Sequence, residues 1–224
     1  MSSPASSTPG RPLRKDAERN RRRVLEAARE VFAARGLTAS LDDIAHHAGV
    51  GVGTVYRRFP DKEQLIDALF EDRVAELQGV AEEGLALDDP WEGLVHFLIR
   101  SNELQAADRG LKDAVLGGAE GCTRVAHARS RISPLVARLL ARAQAAGAVR
   151  ADADITDLVL AQIAIGAVAE ATSEVSPDTW RRFVTLILDG LRTGGTEFPA
   201  PPLDDAQLEQ TLVAASAAAL RRRR

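Results

Sequence analysis

The segment Ser40–Lys62 constrains the fold of this chain more than any other, because its pattern predicts two short helices joined by a tight turn. Ser40 and Asp43, three residues apart, match a capping box at a helix start. Gly49 suits a left-handed turn, which costs little only for glycine, and Pro60 ends the second helix. The spacing predicts a helix-turn-helix, a motif whose second helix normally lies in the major groove of DNA.

Apolar positions on three successive helices predict one small shared core. A first helix over Asp16–Ala34, stopped by Gly36, carries an apolar stripe at helical spacing. Ala45 is small enough to let the two short helices approach each other. We expect the centre of this core at Phe32, Ile44, Val55 and Phe59.

The exposed side of the second short helix carries hydroxyl and guanidinium donors, which suit phosphates and base edges. These donors are Thr54, Tyr56, Arg57 and Arg58. The alternative is a helical hairpin inside an ordinary α-domain, in which the same side chains are only solvated.

The stretch Gly36–Ile66 resembles the DNA-binding domain of TetR-type transcriptional regulators, and the resemblance covers Ala17 to Leu69. It depends on Gly36, Ile44, Ala45, Ala48, Gly49, Val50, the run Gly53-Thr54-Val55-Tyr56, Phe59, Lys62, Glu63 and Leu65. The resemblance implies that Lys62 meets a phosphate together with the helix N-terminal amides. We also expect DNA contacts at Ser40 and Gly53. The family often has serine or threonine where Gly51 stands, so we assign no phosphate contact there.

Charge is unevenly distributed along the chain. Through Lys62 there are twelve Lys and Arg against seven Asp and Glu, and the remainder holds seventeen against twenty-five. A basic front and an acidic rear suggest a nucleic-acid module joined to one that does not touch nucleic acid. The cluster of Arg11, Arg14, Lys15, Arg19, Arg21, Arg22 and Arg23 either grips phosphates or forms a solvated helix face; both interpretations stay open.

Composition excludes several other classes. The single cysteine, Cys122, rules out an internal disulfide and a multi-cysteine metal site. We expect a cytoplasmic protein, because there is no apolar run long enough to span a bilayer and no signal-peptide core. The chain has no metal-ligand spacing, phosphate-binding glycine loop or nucleophile motif, so we expect no enzyme activity and no cofactor.

The rear of the chain repeats helical patterns without nucleic-acid character. We expect a helix that starts after Asp61 and ends near Glu83, one over Trp91–Ile99, one from Thr123 to Ala146, and one that starts at Asp154 or Thr156 and ends near Glu174. Further helices are expected after Pro177 and over Leu203–Leu220, with a short one at Gly110–Leu116. Pro134 is expected to kink its helix or to mark its start. Wide apolar surface on two of these helices predicts a homodimer interface of four helices, with intrachain core as the alternative. The residues assigned to this interface are Leu158, Ile165, Trp180, Phe183, Val184, Ile187, Leu188 and Leu191.

An effector pocket between the rear helices would take a hydrophobic or amphipathic small molecule. Its expected wall is Trp91, Phe97, Leu104, Leu116, Cys122, His127 and Ile163. Ordinary core packing is the alternative for each of these residues.

We therefore expect an all-α protein with an N-terminal three-helix helix-turn-helix DNA-binding domain and a larger helical ligand-binding and dimerisation domain. The expected divisions are a disordered basic arm (1–14), the DNA-binding domain (15–62), the effector and dimerisation domain (63–195), and a linker with a C-terminal helix and tail (196–224). Such a homodimer would repress transcription from a palindromic operator until an effector releases it. Two alternatives remain: an all-helical enzyme or ligand carrier with a structural helix-turn-helix, and a DNA-binding regulator without an effector.

Overall fold

The computed structural model describes residues 11–107 and 121–221 of the 224-residue chain. Within those ranges the regular structure is α-helical, apart from a short 3-10 turn at Gly36–Thr38 and an isolated antiparallel bridge between Val149 and Arg192. The helices are α1 (Arg11–Arg35), α2 (Leu41–Ala48), α3 (Val52–Arg58), α4 (Lys62–Ala86), α5 (Pro90–Ala107), α6 (Gly121–Ala145), α7 (Ile155–Ala171), α8 (Thr179–Leu191) and α9 (Asp205–Arg221). The predicted all-α fold class is confirmed.

The first compact unit contains α1, α2, α3 and the first turns of α4, and it ends at Leu69. All four residues predicted at its core centre are buried: Phe32, Ile44, Val55 and Phe59. Helix α1 begins at Arg11, earlier than the predicted Asp16, and stops where Gly36 adopts a positive φ of 63°. The three-helix core expected from the apolar pattern is present.

Local hydrogen bonds set both ends of α2. The Ser40 Oγ accepts from the Asp43 amide at 3.1 Å, and the Asp43 Oδ2 accepts from the Ser40 amide at 2.8 Å. At the other end Gly49 is left-handed, with φ 61° and ψ 39°. The capping box and the glycine turn are confirmed, and together they limit α2 to eight residues.

The boundary between the two compact units lies inside α4, between Leu69 and Phe70. The sequence placed it earlier, at Lys62. Leu65, Ile66 and Leu69 are all buried, because an amphipathic helix that follows a small core keeps its apolar face on that core. The first turns of α4 therefore belong with the first unit.

The second unit, from Phe70 onward, has one core shared by α4 to α8. Helix α5 contacts α6, α7 and α8, and α7 packs against α8. Asp154 caps α7 through a capping box with Asp157, as an N-terminal acid at this position predicts. Small residues of α4 and α6, including Ala81 and Ala143, are fully buried where these helices meet the core.

Helix α6 agrees with the predicted Thr123–Ala146 to within two residues. Of the two alternatives for Pro134, the helix start is wrong, because Pro134 lies inside α6. Helix α8 begins at Thr179 with Asp178 as N-cap, two residues after Pro177. The short helix expected at Gly110–Leu116 falls outside the described residues.

The C-terminal segment is anchored on the second unit. The Arg150 guanidinium lies 3.6 Å from the centre of the Phe198 ring and donates to the Thr196 carbonyl at 2.6 Å. In α9, Asp205 pairs with Arg129 of α6, and Leu208 is only 1% exposed. The predicted extended linker and terminal helix are thus packed against the chain.

Across the ranges that the structure covers, every helix is too short or too polar to cross a lipid bilayer.

Candidate nucleic-acid interface

Arg23 of α1 holds the turn between α2 and α3, a role that the sequence did not reveal. Its Nη2 donates to the Ala48 carbonyl at 2.7 Å and lies 3.4 Å from the carbonyl oxygen of Gly49. The last carbonyls of a helix lack helical partners and favour a nearby positive charge. Arg23 therefore fixes the turn that precedes α3 instead of standing free in the basic cluster.

Helix α3 presents the predicted donors on its outer side. Val55 is buried, whereas Gly53, Tyr56, Arg57 and Arg58 are exposed and Thr54 is half-buried. The Arg57 Nε donates to the Gly53 carbonyl at 3.1 Å, and its Nη2 lies 3.5 Å from the Thr54 Oγ1. These contacts lay the guanidinium along the helix beside the Thr54 hydroxyl.

Tyr56 is oriented by Asp42 in the first turn of α2. Tyr56 is 44% exposed, and its hydroxyl hydrogen-bonds to the Asp42 side chain. This hydrogen bond, with the charge of the carboxylate, raises the pKa of the Tyr56 hydroxyl. The hydroxyl therefore stays protonated and bonded to α2.

Ser40 takes part in a network that joins the end of α1 to the start of α2. Its Oγ donates to the Asp43 Oδ2 at 2.7 Å, and Arg35 donates to the Asp43 Oδ1 at 2.9 Å. The hydrogen bonds from Ser40, followed by the one from Arg35, lower the pKa of Asp43 to about 2. Both donors of Ser40, its amide and its hydroxyl, are thus engaged inside the protein.

The start of α4 is capped as predicted. The Asp61 carboxylate accepts from the backbone amide of Gln64 at 2.8 Å and from its side chain at 3.0 Å. Lys62, the first residue of α4, is partly buried. Gly51 is the N-cap of α3 and has no side chain to cap it, as the departure from the family pattern implies.

Acidic neighbours offset part of the basic cluster on α1. Arg19 pairs with Asp16, and Arg21 and Arg22 lie 3.9 Å and 3.8 Å from Glu18. Such exposed pairs on one helix are weak and yield to a stronger anion. The phosphate-gripping role of the cluster stays a prediction.

The residues predicted for an effector pocket occupy different surroundings in the second unit. Trp91 and Phe97 are buried in its core, and Arg192 lies over the Trp91 ring at 3.8 Å. Leu104 packs partly buried against that core, and Ile163 is partly exposed on α7.

His127 lies at the surface of the second unit instead. Its Nε2 is 3.0 Å from the Glu71 Oε1, and its ring is 6.4 Å from that of Phe70. Leu116 lies outside the described residues, and only the backbone of Cys122 is described, within α6.

Most of the residues predicted for the dimer interface are buried within the single chain. Leu158, Ile165, Trp180, Val184, Leu188 and Leu191 belong to the second core, and Phe183 and Ile187 pack partly buried against it. In the single chain α8 packs against α7 and also contacts α5. The alternative of intrachain core accounts for the burial of these residues, and a dimer interface stays a prediction.

Comparison with known proteins gives matches to both units. A family described as "Bacterial regulatory proteins, tetR family" matches residues 24–69. A second, described as "Transcriptional regulator SbtR-like, C-terminal domain", matches residues 89–193.

Solved structures extend the likeness over most of the chain. The TetR transcription regulatory protein from Mycobacterium vanbaalenii is 43% identical, with 81% of this chain and 100% of that chain covered and a TM-score of 0.62. The TetR transcriptional regulator SCO0520 from Streptomyces coelicolor is 34% identical, with 78% of this chain and 99% of that chain covered and a TM-score of 0.62.

Among curated proteins, the HTH-type transcriptional regulator SrpR from Pseudomonas putida is 38% identical over 81 residues. That match covers 36% of this chain and 38% of SrpR, so the chain spans well under two thirds of this relative. The helix-turn-helix with its exposed α3, the two family matches and the full-length structural relatives lead to one conclusion: the chain belongs to the TetR family of DNA-binding transcriptional regulators.

Proposed function

We propose that this protein is a cytoplasmic, homodimeric repressor that binds a palindromic operator and releases it when a small hydrophobic or amphipathic molecule binds the second unit. The observation that carries the DNA-binding part is the outer face of α3, with Thr54, Arg57 and Arg58 accessible beside one another. Guanidinium and hydroxyl groups read base edges and hold phosphates.

In this proposal α3 enters the major groove, and Thr54 and Arg57 are the base-reading candidates. Their mutual contact means that the guanidinium starts from a defined position on the helix. Lys62, with the amides at the start of α4, holds a backbone phosphate. Ser40 donates to a phosphate only if its hydroxyl gives up the hydrogen bond to Asp43.

A second copy of the chain is proposed to cover the outer side of α7. That helix has no charged residue between Asp157 and Glu170, and a helix that is apolar all round is normally buried all round. By helical spacing Leu160, Ile163 and Ala167 project opposite the buried face, and all are at least partly exposed. A symmetric dimer built on this face would span two half-sites about 34 Å apart.

The effector acts, in this proposal, by binding one conformational state of the dimer better than the other. Its influence on operator binding is limited by the ratio of its affinities for the two states. A neutral or weakly polar molecule suits the second unit, whose shared core is built from the apolar faces of α4 to α8.

The test is fluorescence anisotropy of the full-length protein on labelled fragments of its own upstream DNA. We expect a salt-sensitive, saturable complex with one fragment, and Arg57→Ala should change the base preference found by DNA selection. Arg138→Ala, which removes an exposed arginine from α6, is the matched control and should leave it unchanged. An intact dimer that binds no fragment at low salt would refute the proposal.

A further inference from the structure

Gln162, which is partly buried, is a polar side chain on the face of α7 that packs into the second core. Leu158, Ile165 and Ala169 share that face at helical spacing and are all buried. A lone amide among apolar side chains loses its hydration, so each of its polar atoms requires a hydrogen-bond partner.

One half of the Gln162 amide has a partner on α5. Its Nε2 donates to the Ser101 Oγ at 2.5 Å, and Ser101 itself is buried. The single hydrogen of the Ser101 hydroxyl is directed at its own helix, with the Phe97 carbonyl at 2.6 Å. The hydroxyl can therefore only accept from Gln162, which fixes the amide with its oxygen turned away from Ser101.

The other half of the amide lacks a partner. The Gln162 Oε1 is buried and accepts no hydrogen bond from any residue in the part of the chain that the structure describes. Asn102, the next residue of α5 after Ser101, donates from its Nδ2 to the Leu98 carbonyl at 2.7 Å. Among the described residues, this oriented and buried acceptor is left without a hydrogen-bond donor.

Gly166, one turn further along α7, is also close to α5. A Cβ at Gly166 would lie 3.8 Å from the Gln105 Oε1 of α5, so no side chain of α7 separates the two helices there. Ser101 with Gln162 and Gln105 with Gly166 therefore form successive rungs between α5 and α7, one helical turn apart.

The described groups that hydrogen-bond to Gln162 and Ser101 are uncharged. The hydrogen bonds around Gln162 and Ser101 join amide, hydroxyl and carbonyl groups. Glu103 of α5 is engaged by Arg181 of α8 at 2.9 Å and by Arg100, so its charge is compensated by arginines. Arg181 in particular lowers the pKa of the Glu103 carboxyl.

We propose that the Gln162 Oε1 is the polar end of the effector site, and that the effector is a neutral, largely apolar molecule that donates one hydrogen bond from a hydroxyl or N–H group. The proposal rests on the effector-responsive function proposed above. A carboxylate would bring a second acceptor and a desolvated charge to this oxygen, which disfavours free fatty acids and similar anions.

Three probes that share an alkyl chain and differ in head group test the donor requirement: decanol, decyl methyl ether and decanoate. Binding to the full-length protein is measured by isothermal titration calorimetry. We expect decanol to bind roughly fivefold to tenfold tighter than the ether, the worth of one buried hydrogen bond, and decanoate to bind weakest. Equal affinities for decanol and the ether, tightest binding of decanoate, or no binding of decanol would each overturn the proposal.

The variant Gln162→Leu tests the assigned atom. Affinity for decanol should fall by about the same factor while affinity for the ether stays unchanged. Gln210→Leu, which removes an exposed amide from α9, is the matched control and should alter neither affinity. An unchanged decanol affinity in Gln162→Leu would overturn the proposal, and the wild-type comparison stands even if this variant does not fold.

Operator binding without probe is measured on the same wild-type and variant samples. If the wild-type protein without probe does not bind the operator, the proposed function is refuted. The outcomes that overturn the effector assignment leave operator binding intact, so the two failures are distinguishable.

Discussion

Gly84 of α4 and Gly93 of α5 lie back to back, with each backbone occupying the place that a side chain of the other would need. A Cβ at Gly84 would be 2.6 Å from the Gly93 carbonyl oxygen, and a Cβ at Gly93 would be 2.3 Å from that of Gly84. Real side chains do not approach a carbonyl so closely. The absence of both side chains therefore sets the distance at which the two helices cross in the second unit.

We expect Gly84→Ala to destabilise the second unit by about 1–3 kcal/mol, because the backbone of α5 must shift to admit one methyl group. Fluorescence of Trp91 and Trp180, both in this unit, would follow denaturant unfolding. The matched control is Gly79→Ala in the same helix, where an added Cβ meets no heavy atom of the described residues within 4 Å. Equal unfolding midpoints for the two variants would contradict the close crossing.

Acid should weaken the first unit through Asp43. Because the folded-state pKa of about 2 lies below the ordinary value of 3.8, the charged carboxylate stabilises the folded state fully above pH 3.8. That contribution is lost as the pH falls from 3.8 toward 2. Between pH 3.8 and 2, the urea unfolding midpoint should therefore fall less in Asp43→Asn than in the wild type. Far-UV circular dichroism measures this midpoint. Asp88→Asn, in the exposed loop before α5, should behave like the wild type.

Arg23→Met should loosen the turn before α3 and weaken binding to all DNA sequences alike. We expect about 1 kcal/mol of lost stability, the worth of a partly exposed charge-assisted hydrogen bond. Since Arg23 is assigned to the Ala48 carbonyl and not to a phosphate, the salt dependence of DNA binding should keep its slope. The control is Arg22→Met, whose side chain lies 3.8 Å from Glu18. A slope lowered by Arg23→Met would instead place Arg23 on the DNA.

Lys62→Ala should weaken binding to operator and to unrelated DNA by similar factors. If Lys62 neutralises one phosphate, the slope of log K against log salt should fall by about one. Anisotropy titrations over a series of salt concentrations measure this slope directly. An unchanged slope would remove Lys62 from the phosphate contacts.

Leu160→Glu should convert the proposed dimer to a monomer, because it puts a charge at the centre of the outer face of α7 without disturbing the core of the chain. Light scattering coupled to size-exclusion chromatography reports the mass. Val175→Glu changes a 90% exposed residue in the loop after α7 and serves as the control. A Leu160→Glu protein that keeps the mass of the wild type would place the subunit contact elsewhere.

Local features were predictable from the residues. Ser40 and Asp43 are three positions apart, and Gly49 adopts its left-handed conformation through its own backbone freedom. The donors on α3 followed from helical spacing once Val55 was assigned to the core. Such features depend on interactions within a few residues, so the order of residues is enough to reveal them.

Contacts between distant residues were not predictable in the same way. Arg23 looks like its arginine neighbours in sequence, and only the packing of α1 brings it within 2.7 Å of the Ala48 carbonyl. The apolar stripe on α8 predicted a buried face. A pattern of period 3.6 does not say whether the covering surface belongs to the same chain or to a partner. The folded chain covers that face with its own helices.

The order of residues thus established an all-helical protein, the caps and turns of its DNA-binding motif and the family to which it belongs, because each depends on short-range spacing. The crossing of Gly84 over Gly93 and the meeting of Gln162 with Ser101 depended on how the helices pack. Helix packing is fixed by side-chain shape and by the loss of apolar surface from water across the whole unit, and no local pattern contains that information.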